Sequence, residues 1–299
     1  MSHISVLLHE TIDALRLKEG MTIIDGTFGA GGHSTEIAKR IGKTGQLISF
    51  DADASVFTEV KVQELECLTQ FTGVVENFRN AGEVLKRLEI GAIDGAIFDL
   101  GLSSTQLEAS GRGFSFLRDE PLAMTFQSTP SADDVTALTV VNDWSQDSIA
   151  TILKGFGEER FSRAIAEGIV EARKVGEITR TGRLVEIIHD NTPGWYHRGR
   201  THFATRTFQA IRMAVNDELG VIGAGINGIV PFVNVGGRIA VISFHSIEDR
   251  VVKRLFLDLV EKEIFAKVTK KPIIPGDEEL KVNPRSRSAK LRVIEKLIA

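Results

Sequence analysis

The chain has 299 residues, of which 42% are hydrophobic and 25% charged, the make-up of an ordinary soluble globular protein with room for one large domain or two of common size. A net charge of −4 excludes a molecule drawn to nucleic acid by its overall charge, and no apolar run approaches the length that spans a bilayer. The residues Met1–Glu10 lack a basic start and a small-residue cleavage site, and the one cysteine, Cys67, cannot form an internal disulfide, so a reducing cytoplasm is expected.

In chain order, Val6 to Leu17 has helical spacing, and Gly20 supplies a stop. Met21–Asp25 reads as a buried strand, followed by the glycine-rich run Asp25-Gly26-Thr27-Phe28-Gly29-Ala30-Gly31-Gly32-His33 and a helix over Ser34–Ile41. Gly42–Gly45 is a turn, Leu47–Asp51 a second strand and Ser55–Glu66 a helix. Thr69–Val75 is a third strand, Ala81–Leu88 a helix and Ile93–Leu100 a fourth strand. Strands alternating with helices at this spacing predict a parallel α/β sheet, and ligands of such sheets bind at the carboxyl ends of the strands. Asp25, Asp51, Phe78 and Asp99 fall at those ends, where one ligand could touch all four.

The glycine run is not a P-loop, because no Gly-Lys-Ser/Thr follows it. It also breaks the dinucleotide pattern G-x-G-x-x-G, since Ser34 stands where the third glycine belongs. An acid ending a strand ahead of G-x-G-G is a common build for S-adenosylmethionine sites. The carboxylate attracts the cationic methionine end, and the glycines leave room for it. Asp51, about 20 residues on, is placed to accept from ribose hydroxyls.

After Asp99 the rhythm changes. Gly101–Gln106 and Gly111–Phe116 read as loops, and Ala132–Val141, Asp147–Phe156, Glu158–Lys174 and Thr181–His189 as helices. These residues predict a helical domain inserted into the sheet domain, with the sheet domain at 1–105 and 207–299 and the insertion at 106–206. The α/β rhythm returns with a helix over Phe208–Glu218, a further element over Gly223–Val233, a Gly236-Gly237 turn, a strand over Arg238–Phe244, a helix over Ile247–Val260 and an edge strand over Leu291–Glu295. The last third is rich in Lys and Arg, including Lys267, Lys270, Lys271, Lys281, Arg285, Arg287, Lys290 and Arg292, which permits a phosphate-bearing partner.

Six segments occur together in order: Asp25–His33, Phe98–Ser104, Arg112–Phe116, Thr207–Arg212, Ser243–Arg250 and Asn283–Arg292. With them the chain closely resembles the bacterial ribosomal RNA small-subunit methyltransferase H family, also called MraW, from His3 to its C-terminus. The resemblance implies a Rossmann-like S-adenosylmethionine-dependent methyltransferase fold with an inserted helical domain. It implies methylation of N4 of a cytidine in small-subunit (16S) ribosomal RNA, free or in the assembling 30S subunit. It carries over a cofactor set of Gly31, Gly32, His33, Asp51, Phe78, Asp99 and Gln106. Two departures stand out: Pro121-Leu122-Ala123-Met124-Thr125 where the family usually has Pro-Leu-Asp-Met-Arg, and His202-Phe203-Ala204 where it usually has His-Pro-Ala.

The chemistry selects Asp99 as the catalytic candidate. The cytosine amine is a poor nucleophile because its lone pair is delocalised, and an acceptor on its N–H groups helps localise that pair and take the proton. Many amino-methyltransferases place Asp/Asn-Pro-Pro-aromatic at the end of the fourth strand, and Asp99-Leu100-Gly101-Leu102-Ser103 lacks the prolines and the aromatic, so Phe114 or Phe116 is the expected stacking partner. Arg112, Arg250, Arg285, Arg287 and Arg292 are candidate RNA contacts, because a guanidinium matches phosphate geometry. Two other readings stay open at this point: a non-catalytic or retargeted RNA-binding or assembly protein that keeps the fold, and another Rossmann enzyme with a nucleoside cofactor.

Overall fold

The computed structural model describes residues 4–101, 110–127, 131 and 134–298. Seven strands occur among them: β1 (Thr22–Asp25), β2 (Gln46–Asp51), β3 (Gln70–Val75), β4 (Ile93–Asp99), β5 (Val233–Ser243), β6 (Phe265–Lys267) and β7 (Lys290–Lys296). They form one sheet in the order β3-β2-β1-β4-β5-β7-β6. β1 to β5 run parallel, and β7 is antiparallel to both β5 and β6. The strand order turns back beside β1, whose two neighbours are β2 and β4. A crevice at the carboxyl ends of the strands belongs at this switch point.

The alternation of side chains within each strand explains why both faces are covered. Ile24, Ile48, Phe50, Ala96, Phe98, Ile239 and Val241 enter one core, and Ile23, Leu47, Ile97, Ala240 and Ile242 enter the other. The second core is closed by α1 (Leu8–Leu15) and α2 (Gly32–Ile41) through Ile12, Leu15, Ile37 and Ile41. Two further helices precede β4, α3 (Glu59–Glu66) and α4 (Ala81–Arg87). Between β4 and β5 come α5 (Ala137–Asp143), α6 (Gln146–Gly157), α7 (Ser162–Val175), α8 (Thr181–Asp190), α9 (Gly194–His197), α10 (Thr205–Val215) and α11 (Glu218–Ile229). α12 (Ser246–Glu261) and α13 (Asp277–Val282) follow β5 and β6. The first core is closed by α4, α11 and α12 through Val84, Leu85, Ile222, Ile226, Val252 and Phe256. Among the described residues, no helix is long and apolar enough to cross a membrane.

The chain divides into two compact units, one formed by Met1–Gly101 with Leu219–Ala299 and the other by Leu102–Glu218. The second unit is helical and has its own core, to which Val140, Leu153, Ile165, Ile169, Leu184, Ile188, Phe208 and Ile211 contribute. Asn142 ties α5 to the segment before α8: the side-chain amide donates to the carbonyls of Leu138 and Ile178 and accepts from the Ile178 N–H.

Several element boundaries differ from the sequence reading for local reasons. α2 begins at Gly32, inside the glycine run, after Gly31 at φ 73°. α5 begins at Ala137, where Thr136 and Thr139 form a reciprocal cap, and residues 132 and 133 lie outside the described ones. Glu158 is not in a helix, since its left-handed φ of 50° terminates α6. Gly236-Gly237 lies inside β5, not in a turn before it, at an irregularity where the register against β4 shifts between Ile93 and Gly95. The predicted edge strand is interior: β7 lies between β5 and the short β6, whose three residues are too few to leave a periodic signal.

Candidate active site at the strand ends

The glycine run continues β1 and is bound to two neighbouring strands, β2 and β4. Gly26 N–H donates to the Ile97 carbonyl at 2.8 Å, and Phe28 N–H to the Phe50 carbonyl at 2.8 Å. Gly29 N–H donates to Asp51 Oδ2 at 2.9 Å, and the Thr27 hydroxyl accepts from Asp99 N–H at 2.6 Å. The loop therefore brings the tips of β1, β2 and β4, and with them Asp25, Asp51 and Asp99, around one backbone turn. Gly26 is obligatory there, because a Cβ would stand 2.3 Å from the Phe98 ring.

Asp25 ends β1 and is buried. It accepts from Thr27 N–H at 3.0 Å and from the Ser34 hydroxyl at 2.7 Å, and Ser34 also meets Ser49 at 2.9 Å. Ser34, which broke the dinucleotide pattern, is thus the residue that fixes this carboxylate from the first turn of α2. Burial pushes the Asp25 carboxyl up to about 6, against the hydrogen bonds from Ser34 and Thr27. Asp51 accepts from Gly29 N–H and, through Oδ1, from Asp53 N–H at 2.9 Å.

Asp99 ends β4 with a side chain that is 19% exposed. Its Oδ1 is buried and has no hydrogen-bond partner among the described residues. Burial first, then the charges of Asp25, Glu248 and Glu279, push this carboxyl well above the ordinary carboxylate range. His33 lies beside it, with Nδ1 3.7 Å from Asp99 Oδ2, too far for a hydrogen bond. The other ring nitrogen, Nε2, is 3.2 Å from the Val6 carbonyl, which can only accept, so Nε2 carries the proton in that bond. An orphaned acceptor inside a ring of carboxylates suits a ligand that brings hydrogen-bond donors and positive charge.

Phe78 sits just past β3 and packs its ring at 5.1 Å from Phe98, with Gly225 of α11 also close against the ring. It is partly buried against the apolar core. Gly31 and Gly32 cap and open α2. Gln106 lies outside the described residues. Sequence reasoning missed Ser34, Val6, Glu248 and Glu279. The last is on α13 and accepts from Leu7 N–H at 3.0 Å, which ties the N-terminal segment beside His33. A buried serine beside an acid leaves no periodic trace, and a hydrogen bond between residues 272 positions apart leaves none either.

The arginine candidates separate. Arg292 is held by Asp249 in a two-pronged bond of 2.7 and 3.2 Å, which Lys290 joins at 3.1 Å. Burial alone would raise Asp249, but the hydrogen bonds from Arg292 and Lys290 outweigh it and hold the carboxyl below its usual value. Arg112, in the helical unit, donates to the Phe126 carbonyl at 2.7 Å and lies 5.7 Å from the Phe114 ring centre. Arg250, Arg285 and Arg287 are exposed. Phe114 is buried in the helical core, and Phe116 stacks on His202 at 4.5 Å. Phe203 stacks in turn on His202 at 4.3 Å, and the Thr125 hydroxyl donates to the Gln127 carbonyl at 2.8 Å, so two of the departing residues have local partners.

The model of the MraW methylase family matches residues 1–297. The ribosomal RNA small subunit methyltransferase H of Clostridium botulinum (strain Kyoto / Type A2) is 44% identical over 310 residues, covering 99% of each chain. The protein of the same name from Paenibacillus sp. (strain JDR-2) is 42% identical over 316 residues, again covering 99% of each. Among solved structures, an rRNA methylase from Streptococcus thermophilus aligns over 99% of this chain and 100% of its own, with a TM-score of 0.46 and 12% identity. The chain belongs to the MraW methylase family and is a methyltransferase.

Proposed function

We propose that the protein transfers a methyl group from S-adenosylmethionine to N4 of a cytidine in small-subunit (16S) ribosomal RNA, acting in the cytoplasm on the free RNA or the assembling 30S subunit. The observation that carries this reading is the unpartnered, buried Oδ1 of Asp99 at the end of β4, beside the glycine loop that gathers Asp25 and Asp51. The relatives named ribosomal RNA small subunit methyltransferase H support the choice of RNA. The helical unit is the candidate for substrate recognition.

The cofactor, when bound, supplies an electrophilic methyl carbon on a sulfonium centre. Asp51 would accept from the ribose hydroxyls, with its carboxylate already oriented by Gly29 and Asp53. Gly31, Gly32 and His33 would line the methionine and ribose side, Phe78 would face the adenine, and Gln106 would close the site. Asp25 and Asp99 offer a cation two buried carboxyls, and an adjacent positive charge favours their ionised forms. Ionised Asp99 would accept an N–H of the cytosine amine, concentrate the lone pair on nitrogen and receive the proton that the amine loses on gaining the methyl group, whose bond to sulfur breaks to leave a neutral thioether. Asp99 is 19% exposed, so the proton has a route to solvent.

The test is purified protein, small-subunit RNA and labelled cofactor, with wild type compared against Asp99→Ala. Retention of both cofactor binding and methylation by the variant refutes the assignment of Asp99.

A further inference from the structure

The helical unit carries a cleft that the proposed reaction does not use. It has a volume of about 600 Å³ and is formed where α6 ends and α7 begins, with Lys154, Arg160 and Arg163 along it. These three cations are exposed, and none forms an ion pair among the described residues. Arg206 adjoins them, donating to the Glu158 carbonyl at 3.1 Å. The acids here are Glu158, which is exposed, and Glu159, which is buried and committed to the Tyr196 hydroxyl at 2.6 Å and to Phe161 N–H at 2.9 Å.

An aromatic cluster borders these cations. Trp195, on α9, is 56% exposed although it is the largest apolar side chain in the region. The Arg160 guanidinium lies over its ring at 5.4 Å and over the Tyr196 ring at 5.9 Å. Phe161 supports both rings edge-on, at 5.8 Å from Trp195 and 5.0 Å from Tyr196. Phe161 therefore buttresses both rings, the indole is open to solvent, and the Arg160 guanidinium lies over it. Exposed cations outside any ion pair, beside an exposed and buttressed indole, match a ligand that alternates phosphates with flat bases. A folded protein partner would call for a broader apolar face than one tryptophan.

We propose that the Arg160–Trp195 cleft holds a single-stranded segment of the RNA substrate, stacking a base on Trp195 and placing phosphates on Lys154, Arg160 and Arg163. The choice of RNA rests on the proposed reaction, whereas the placement rests on the cleft alone.

The test titrates the full-length protein with a short labelled single-stranded RNA from the small subunit, following anisotropy and tryptophan fluorescence. Calorimetry with S-adenosylmethionine serves as the check that each variant is folded. The expected result is that RNA quenches Trp195, and that Trp195→Ala weakens RNA binding at least about fivefold with cofactor affinity unchanged. Arg163→Glu flattens the salt dependence by about 0.7 in log–log slope for each phosphate that it no longer neutralises. Wild-type RNA affinity in Trp195→Ala and Arg163→Glu overturns the assignment of the cleft and leaves the proposed reaction standing. Equal quenching and equal affinity with polyglutamate also overturn it, because the cleft is then a general anion or acidic-protein surface. RNA binding that depends on Trp195, in a protein that methylates no cytidine, supports the cleft and removes the proposed reaction.

Discussion

Replacing Asp25 by Asn separates the stability of the fold from the needs of its ligand. The Asp25 carboxyl is raised from 3.8 to about 6 by burial, so folding favours its neutral form. At about 1.4 kcal/mol for each tenfold change in a protonation equilibrium, ionising it in the folded chain costs roughly 3 kcal/mol. This cost is absent below the unfolded value of 3.8, grows as pH rises and is complete above about 6. An amide is neutral throughout and keeps the local bonds: its oxygen accepts from Thr27 N–H, and its nitrogen donates to Ser34, which turns its own hydroxyl to Ser49. Asp25→Asn is therefore expected to raise the Tm of the ligand-free protein at pH 8 by on the order of 5–10 °C, and to leave it unchanged near pH 4. The same variant should bind S-adenosylmethionine more weakly, having lost the carboxylate proposed to face the cationic end. Thermal scans at the two pH values, with and without cofactor, measure both effects. A variant less stable than wild type at pH 8 would refute the reasoning, since the hydrogen bonds to the carboxylate would then outweigh its burial.

Asp51→Ala removes the acceptor of Gly29 N–H and the proposed ribose contact, and should weaken cofactor binding by roughly 10–100-fold in calorimetry, the worth of one or two charged hydrogen bonds. Asp99→Ala should lower the methyl-transfer rate by about 100-fold or more in single-turnover assays. Cofactor affinity should fall as pH drops through about 6, because the carboxyl of Asp25 loses its charge there and burial raises that of Asp99 as well; a flat affinity profile from about pH 8 to 5 would count against the part of Asp25 in binding. Gly26→Ala forces a Cβ into the Phe98 ring and should cost about 1–3 kcal/mol in denaturant unfolding. The Asp249 cluster has the opposite pH sign to Asp25: its depressed carboxyl stabilises above the unfolded value, and that stability is lost in acid, so Asp249→Asn should flatten the acid limb of unfolding.

The sheet was legible because strands β1, β2 and β4 are short apolar runs that each end in an acid, and a parallel sheet buried on both faces requires such runs. The break in rhythm after Asp99 marked the helical unit for the same reason. Phe208 shows the limit of this reading, because amphipathic spacing identifies the helix α10 without saying which core receives its apolar face. The register shift at Gly236 was hidden by the glycine pair, which reads equally well as a turn. At the site, Asp25, Asp51 and Asp99 were visible as strand ends, whereas Ser34 was visible only as a defect in another motif. Arg292 could not be assigned from sequence, because the partner that engages it, Asp249, is 43 positions away.

Mass mapping of small-subunit RNA incubated with the purified protein and S-adenosylmethionine tests most directly whether the carboxyl ends of β1, β2 and β4 form the site of cytidine methylation. The expected result is one added methyl group on the exocyclic nitrogen of a cytidine, present with wild type and lost with Asp99→Ala. A methyl group on another base or ring position, or an unchanged yield from Asp99→Ala, would contradict it.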